Sequence, residues 1–94
     1  MTPEVELAVY RIAQEALTNV TRHSGATDVT VSLGVTNREL VLTIADDGRG
    51  LPERVIEGGG LTGMRERALL IGGDLRIEQS AVGVAVTLRL SLDQ

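Results

Sequence analysis

Two hydrophobic periods divide the chain, and the first predicts a helix. Apolar residues near the N-terminus recur every three to four positions, which is typical of a helix with one buried face. The stripe consists of Val5, Val9, Ile12, Ala16 and Val20, widened by Ala13 and Leu17. Because Thr2 can cap a helix and Pro3 suits its first position, we predict a helix from Pro3 to about His23, ended by Gly25.

Beyond this helix the apolar residues alternate with polar or small ones, and this period of two predicts strands. The alternating residues are Val29, Val31, Leu33 and Val35, then Leu40, Leu42 and Ile44. A turn at Thr36–Arg38 separates the two runs, so they predict an antiparallel hairpin.

A second helical stripe and two further strands complete the pattern. The stripe consists of Leu61, Met64, Ala68 and Leu69, and Gly72–Gly73 ends it. Two runs with a period of two follow, Leu75–Gln79 and Val84–Leu92. This order predicts one α+β domain over residues 1–94, a two-layer α/β sandwich with helices on one face of a mostly antiparallel sheet.

Composition narrows the classes of function. The 94 residues contain no Cys and one His, which excludes disulfides and disfavours a zinc site. A net charge of −4 and a single aromatic residue, Tyr10, argue against nucleic-acid partners. Because neither a membrane-length apolar run nor a signal pattern occurs, we expect a cytoplasmic domain without membrane contact, which an anchored full-length protein could carry.

A first candidate site lies where the second predicted strand ends. Two carboxylates and two glycines follow Ile44 directly, in the run Ala45-Asp46-Asp47-Gly48-Arg49-Gly50. A carboxylate there can accept a hydrogen bond from an exocyclic amine, and glycines let a flat ring approach the backbone. The alternative is an ordinary turn, since Asp-Gly is a common turn dipeptide.

A second candidate site lies along the first helix. Asn19 falls within about 60° of the middle of the apolar stripe, and Glu15, Arg22 and His23 lie one turn away on the same flank. This set suits a magnesium-bound polyphosphate, with an amide oxygen for the metal, cations for phosphates and a carboxylate to orient water or accept a proton. The alternative is a solvated helix edge, which explains Asn19 least well.

A glycine cluster from Gly58 to Gly63 precedes the second helix. Its G-x-G-x-x-G spacing does not indicate a dinucleotide fold, because the cluster follows an irregular loop in a chain too short for that fold. Bare backbone amides at a helix start can bind an anion, whereas the alternative is a hinge before the helix. Arg65 and Arg67 are more typical of a solvated helix face.

Taken together, the three clusters resemble the N, G1 and G2 boxes of the GHKL ATPase superfamily. The matching residues are Gln14–Asn19 with Arg22–His23, Asp46–Gly50 and Gly58–Ala68. The resemblance is closest to nitrate-sensor-type sensor histidine kinases, whose response regulators carry LuxR-like domains, and it extends from Pro3 to Leu92. It implies a Bergerat ATP-binding fold that binds ATP and Mg²⁺.

The resemblance also assigns roles residue by residue. Asp46 would bind the adenine amino group, with Gly48 and Gly50 shaping that pocket. Asn19 would ligate Mg²⁺, and Glu15 would be the catalytic base or water-orienting residue. The residues assigned to phosphates or the lid hinge are Arg22, His23, Gly60, Leu61, Gly63 and Met64.

The implied reaction transfers the γ-phosphoryl group of ATP to a His on a separate dimerisation domain. His23 belongs to the nucleotide box, so the acceptor domain and the response regulator are expected outside this chain. One departure is Val84, which follows Gly83 where the family commonly has a Thr hydroxyl near the nucleotide. Two alternatives stay open: an anti-sigma-factor serine kinase, and a nucleotide-sensing module without catalysis.

Overall fold

The computed structural model describes residues 2–20, 28–48, 60–80 and 83–92. Two helices and four strands follow one another in the predicted order, each helix followed by two strands, which confirms the α+β class. Their bounds are α1 Pro3–Asn19, β1 Val29–Thr36, β2 Glu39–Asp46, α2 Gly60–Leu70, β3 Asp74–Ser80 and β4 Gly83–Ser91. None of the described helices is long and apolar enough to span a bilayer.

The four strands form one antiparallel sheet in the order β1-β2-β4-β3. The predicted hairpin of β1 and β2 is confirmed, and its two turn residues Asn37 and Arg38 have φ of 52° and 61°. Two positive φ values in a two-residue loop are typical of a type I′ turn, which matches the twist of the strands. Because β4 lies between β2 and β3, the end of β2 is next to the start of β4.

The predicted helix signals are found at both described helices. The Thr2 hydroxyl accepts a hydrogen bond from the Val5 N–H at 3.2 Å and caps α1. At the end of α2, Gly72 has a φ of 72° and the Gly73 N–H donates to the Ala68 carbonyl at 2.8 Å, a Schellman ending. The predicted last turn of α1 to His23, with its terminator at Gly25, lies outside the described residues.

An aliphatic core lies between the helices and one face of the sheet. Its buried members are Val9, Ile12, Ala16, Leu40, Leu42, Ile44, Met64, Ala68, Val84, Val86, Leu88 and Leu90. The predicted stripe of α2 was wrong at Leu69, which is 79% exposed. Since Met64 and Ala68 are four residues apart and contact the core, the next residue points about 100° away from it. Leu17 of α1 is also exposed.

β1 carries an apolar face that the described helices leave uncovered. Its pairing with β2 places Val31, Leu33 and Val35 on the same side of the sheet as the buried residues of β2. These side chains are nevertheless 51–59% exposed. α1 contacts β2 and α2 contacts β3, so the helical layer covers the middle and the far side of the sheet.

Gly83 begins β4 at a position where the neighbouring backbone leaves no room for a side chain. It has a φ of 145°, and a Cβ atom there would collide with the carbonyl oxygen of Asp46. Any other residue would therefore have to change its conformation and separate the start of β4 from the end of β2.

We therefore expect Gly83→Ala to lower the free energy of unfolding by about 3 kcal/mol, which is roughly 12–24 °C in Tm for a domain of this size. Urea and thermal unfolding measure it. Gly34→Ala is the matched control, because a Cβ atom at Gly34 meets nothing within 4 Å and should change stability by less than about 1 kcal/mol. Equal effects of the two substitutions would contradict the proposed close approach.

Candidate functional site

The two neighbouring aspartates at the end of β2 have different surroundings. Asp46 continues the alternation of Leu42 and Ile44, so it lies on the helix-covered side of the sheet, where it is half-buried. Asp47 turns the other way. Its Oδ1 accepts a hydrogen bond from the Asp28 N–H at 3.0 Å, and its own N–H donates to the Asp28 carbonyl at 3.3 Å. Asp47 thus fastens the start of β1, whereas Asp46 faces the interior.

The Asp46 side chain is held by the backbone that follows it. Its Oδ1 accepts a hydrogen bond from the N–H of Gly48 at 2.7 Å, a short contact to a charged acceptor. Gly48 itself is buried, so this hydrogen bond is shielded from solvent on the side of Gly48. With Oδ1 engaged, Oδ2 is the carboxylate oxygen that can accept a hydrogen bond from a ligand.

Asn19 is the polar residue on the buried face of α1. It is 8% exposed, and its amide nitrogen has no hydrogen-bond partner within the described part of the chain. A buried amide without a partner costs about 1–3 kcal/mol, and few native structures retain one without a reason. The sequence pattern predicts that Asn19 lies near the middle of the apolar stripe, and its burial confirms that position.

Asn19 and Asp46 border the same cavity. The other lining residues are aliphatic: Ala16, Val20, Ile44, Val84 and Val86. The cavity measures about 10 Å³, close to the roughly 10–15 Å³ that one water needs. A purine base is many times larger, so it can enter only when the walls separate.

A wider depression reaches Asp46 from the other side. It measures about 330 Å³ and is lined by Ala45, Asp46, Glu78, Gln79, Gly83, Val84 and Ala85. Asp46 and Val84 border both spaces, so the start of β4 and the end of β2 form the wall between them. A base that displaced this wall would have Asp46 at its edge.

The largest of these depressions, about 630 Å³, lies elsewhere. It runs between α1 and the C-terminal half of α2 and is lined by Glu4, Leu7, Ala8, Arg11, Arg67, Leu70 and Ile71. None of the predicted site residues that the structure describes borders it. The volume of a depression therefore does not identify the candidate site, because the small cavity is the one bordered by both the Asn19 amide and the half-buried Asp46 carboxylate.

The remaining predicted site residues of α1 are only partly brought together. Glu15 is half-buried one turn before Asn19, but it does not border the cavity shared with Asp46. Three predicted residues, Arg22, His23 and Gly50, lie outside the described residues.

Four predicted site residues lie at the start of α2. The helix begins at Gly60, Leu61 follows in its first turn, and Gly63 is half-buried. A Cβ atom at Gly63 would lie 2.7 Å from Nη1 of Arg67, whose guanidinium folds back over this glycine. Met64 is completely buried in the core, so of this residue only the backbone can serve a phosphate.

The family resemblance implies that position 84 lies near the nucleotide, but the local sequence pattern does not show which residue Val84 lies opposite. The alternation of β4 predicts that it is buried, and it is 5% exposed. Its place directly opposite Asp46 follows from the β2–β4 pairing, which joins strands separated by α2 and β3. No local sequence signal specifies such a neighbour.

The donor set fits magnesium and does not fit an all-protein metal cage. No group of three or more His, Cys, Asp or Glu side chains suitable for a metal occurs within residues 2–20, 28–48, 60–80 and 83–92. Magnesium usually takes only one or two protein ligands and completes its shell with water and phosphate oxygens. The buried amide of Asn19 can supply one such oxygen ligand.

Comparison with known proteins identifies several relatives. A family model described as histidine kinase-, DNA gyrase B-, and HSP90-like ATPase matches residues 4–94. The sensor histidine kinase LiaS of Bacillus subtilis is 48% identical over 71 residues, which cover 73% of this chain and 20% of LiaS. The chain thus spans about a fifth of that curated relative.

Two solved structures share the fold. The histidine kinase domain of the Erythrobacter litoralis EL346 blue-light activated histidine kinase has a TM-score of 0.83 at 26% identity, over 95% of this chain and 48% of that one. The ATP binding domain of PrrB from Mycobacterium tuberculosis has a TM-score of 0.78 at 29% identity, over 94% of this chain and 69% of that one.

We expect Asn19→Leu to raise the free energy of unfolding of the ligand-free protein by about 1–2 kcal/mol, because it removes a buried amide donor that has no partner. Urea unfolding measures this change. Thr18→Leu is the control, since it gives a similar gain in helix propensity at the neighbouring position outside the cavity. A loss of stability in Asn19→Leu would mean that the amide is paired in the folded protein.

Proposed function

Since this chain belongs to the family of histidine kinase-, DNA gyrase B- and HSP90-like ATPases, we propose that it is the ATP-binding catalytic domain of a two-component sensor histidine kinase. Its relatives include sensor histidine kinases, and its fold is that of histidine kinase ATP-binding domains. One observation supports the proposal most strongly: Asn19 of α1 and Asp46 of β2, 27 positions apart in the sequence, border one cavity.

In this proposal Asp46 recognises the base. Its Oδ1 accepts from the Gly48 N–H, which leaves Oδ2 to accept a hydrogen bond from the exocyclic amine of adenine. A carboxylate has no proton to donate, so it favours an amine over a carbonyl at that position. Gly48 and Gly50 would complete the edge of this base pocket.

The triphosphate would extend from this pocket along the end of α1 toward the start of α2. Asn19 would supply an amide oxygen to Mg²⁺, which neutralises phosphate charge when bound. Backbone N–H groups of Gly60, Leu61, Gly63 and Met64 at the positive end of the α2 dipole would hold phosphate oxygens. Arg22 and His23 are proposed to add charged contacts to the same groups.

Glu15 is proposed as the residue that accepts or orients the proton of the attacking group. The reaction would move the γ-phosphoryl group of ATP to an imidazole nitrogen, with ADP as the leaving group. Positioning and charge neutralisation contribute most of the acceleration in such a transfer. The acceptor His would come from a separate dimerisation domain, and a response regulator would receive the phosphoryl group next, both outside residues 1–94.

We propose a cytoplasmic location for the ATP-binding domain formed by residues 1–94.

A nucleotide-sensing module without catalysis is the second candidate. Val84 favours it, because an aliphatic side chain beside Asp46 offers the nucleotide no polar contact. The buried position of Asn19 argues against it, since an amide oxygen suits Mg²⁺ and a module that only reads the base needs no metal ligand there.

We expect Asp46→Asn to weaken ATP binding at least about tenfold, because a hydrogen bond to a charged acceptor contributes about 1.5–3 kcal/mol. Isothermal titration with ATP and Mg²⁺ measures the affinity. Asp47→Asn is the matched control, since it makes the same change one residue away in a side chain that bonds to Asp28. Equal affinities of the Asp46 variant and the unchanged protein would remove Asp46 from base recognition.

For the chemical step, we expect Glu15→Gln to slow phosphoryl transfer about 100-fold or more and to change the ATP affinity less than about threefold, as for loss of a general base. Radiolabelled transfer from ATP to a dimerisation domain carrying the acceptor His measures the rate. A Ser-bearing antagonist protein serves as the second acceptor. Transfer to Ser alone would indicate a serine kinase, and tight Mg-ATP binding without transfer to either would favour the sensing module.

A further inference from the structure

The two arginines of α2 have different surroundings. Arg65 is exposed, as the sequence predicts for a solvated helix face, whereas Arg67 is half-buried. The guanidinium of Arg67 lies over Gly63, one turn earlier in the helix, with Nη1 2.7 Å from the position that a Cβ atom of Gly63 would take. Arg67 has no ion pair or hydrogen bond to another described residue. Its charge therefore lies against the helix without a described partner.

The Arg67 side chain points toward the start of α2. Side chains of a helix tilt toward its N-terminus, and the guanidinium of Arg67 accordingly lies beside Gly63 instead of beside its own Cα atom. Gly63 is three residues after Gly60, where α2 begins, which is a rise of about 4.5 Å. A positive charge near this end of a helix is unfavourable, because the helix dipole is positive there. A bound anion would make the interaction favourable.

Glu15 of α1 lies toward the same end of α2. In the large depression between the helices, the first half of α1 lies beside the second half of α2, so the two helices run in opposite directions. Glu15 follows the lining residue Arg11 by four positions and thus continues the same face of α1 toward the start of α2. Neither Glu15 nor Arg67 borders the cavity of Asn19 and Asp46, so both lie away from the proposed base pocket.

We propose that Arg67 binds the terminal phosphate of ATP and thereby makes the site prefer ATP over ADP. This inference rests on the proposed function. There the base lies at Asp46 and the triphosphate extends past Asn19 toward the start of α2, so the γ-phosphate is the group nearest to Arg67. A guanidinium presents several N–H donors in one plane, which suits a terminal phosphate with its free oxygens. Bound there, it offsets the negative charge of the phosphoryl group that is transferred.

Gly63 provides the space that this position of the guanidinium needs. Gly63 is helical and has no positive φ, so its backbone conformation does not require glycine. Glycine is also a poor helix former compared with Ala. The group that would meet a Cβ atom at Gly63 is the guanidinium of Arg67. The missing side chain at position 63 therefore allows Arg67 to reach the start of the helix.

The test compares the affinities for ATP and ADP, each with Mg²⁺, by isothermal titration. Arg67→Gln removes the charge and keeps a polar side chain. We expect it to bind ATP at least about tenfold more weakly than the unchanged protein, the range of one hydrogen bond between charged groups, and to change the ADP affinity less than about threefold. Arg65→Gln is the matched control: it makes the same change on the exposed face of α2 and should change either affinity less than about threefold.

A second variant displaces the guanidinium without removing it. Gly63→Ala places a methyl group where Nη1 of Arg67 lies, so we expect the affinity for ATP relative to ADP to fall about threefold or more. In the Arg67→Gln background the same substitution should change this ratio less than about twofold, because the charge that it displaces is already absent. Thermal unfolding without ligand verifies that each variant is folded.

If Arg67→Gln weakens ATP and ADP equally, or weakens neither, Arg67 does not bind the terminal phosphate, and this inference is wrong while the proposed function stands. If Arg65→Gln lowers the ATP affinity as much as Arg67→Gln does, the effect comes from net charge and the inference is likewise wrong. If the unchanged protein binds neither nucleotide, the proposed function fails and the inference fails with it.

Discussion

The arrangement of the site depends on the contact between the end of β2 and the start of β4. Gly83 lies so close to the carbonyl of Asp46 that a Cβ atom at position 83 would collide with it, so the two strands can approach in this way only with glycine there. This contact fixes the backbone of Asp46, and the Gly48 N–H then fixes its carboxylate. Asp46 is therefore positioned by a strand that begins nearly forty residues later in the chain, beyond α2 and β3.

The second constraint is the burial of Asn19, and it acts in the opposite direction. The β2–β4 contact fixes the geometry of the site, whereas an amide nitrogen without a described partner on the buried face of α1 lowers the free energy of unfolding. The two features face each other across one small cavity, and the rest of that cavity is aliphatic. A chain selected for packing alone would place Leu or Ala at position 19. The ligand that we propose for this cavity gives the polar residue a reason that packing alone does not.

Sequence patterns predicted the elements, and they singled out the two polar residues that border the small cavity, for clear physical reasons. Periodicity and capping are local, so both helices, all four strands, the Asn37–Arg38 turn and the Gly72–Gly73 ending could be predicted from neighbouring residues. Asn19 stood out because it interrupts an apolar stripe, and Asp46 because it ends an apolar strand. Leu69 was misplaced because a helix stripe predicts only a face, and the partner surface decides how wide that face is.

What could not be predicted depends on strand order. Nothing local shows that β4 inserts between β2 and β3, so periodicity alone predicts neither the pairing of Val84 with Asp46 nor the approach of Gly83. Only the family resemblance placed position 84 near the nucleotide. The different roles of Asp46 and Asp47 also needed the structure, because the hydrogen bonds of Asp47 go to Asp28, nineteen positions away. The width of the cavity depends on all its walls at once, so no single stretch of sequence encodes it.

The uncovered apolar face of β1 affects how this protein behaves in concentrated solution. β1 is an eight-residue edge strand with no charged residue and no proline, whereas the other edge, β3, carries Asp74, Arg76 and Glu78. Charges and prolines on an edge discourage pairing with other chains, and β1 lacks both. Where no other segment shields β1, a high protein concentration will favour edge-to-edge pairing of two copies through this strand. This self-association sets an upper limit on the concentration at which the isolated chain can be studied.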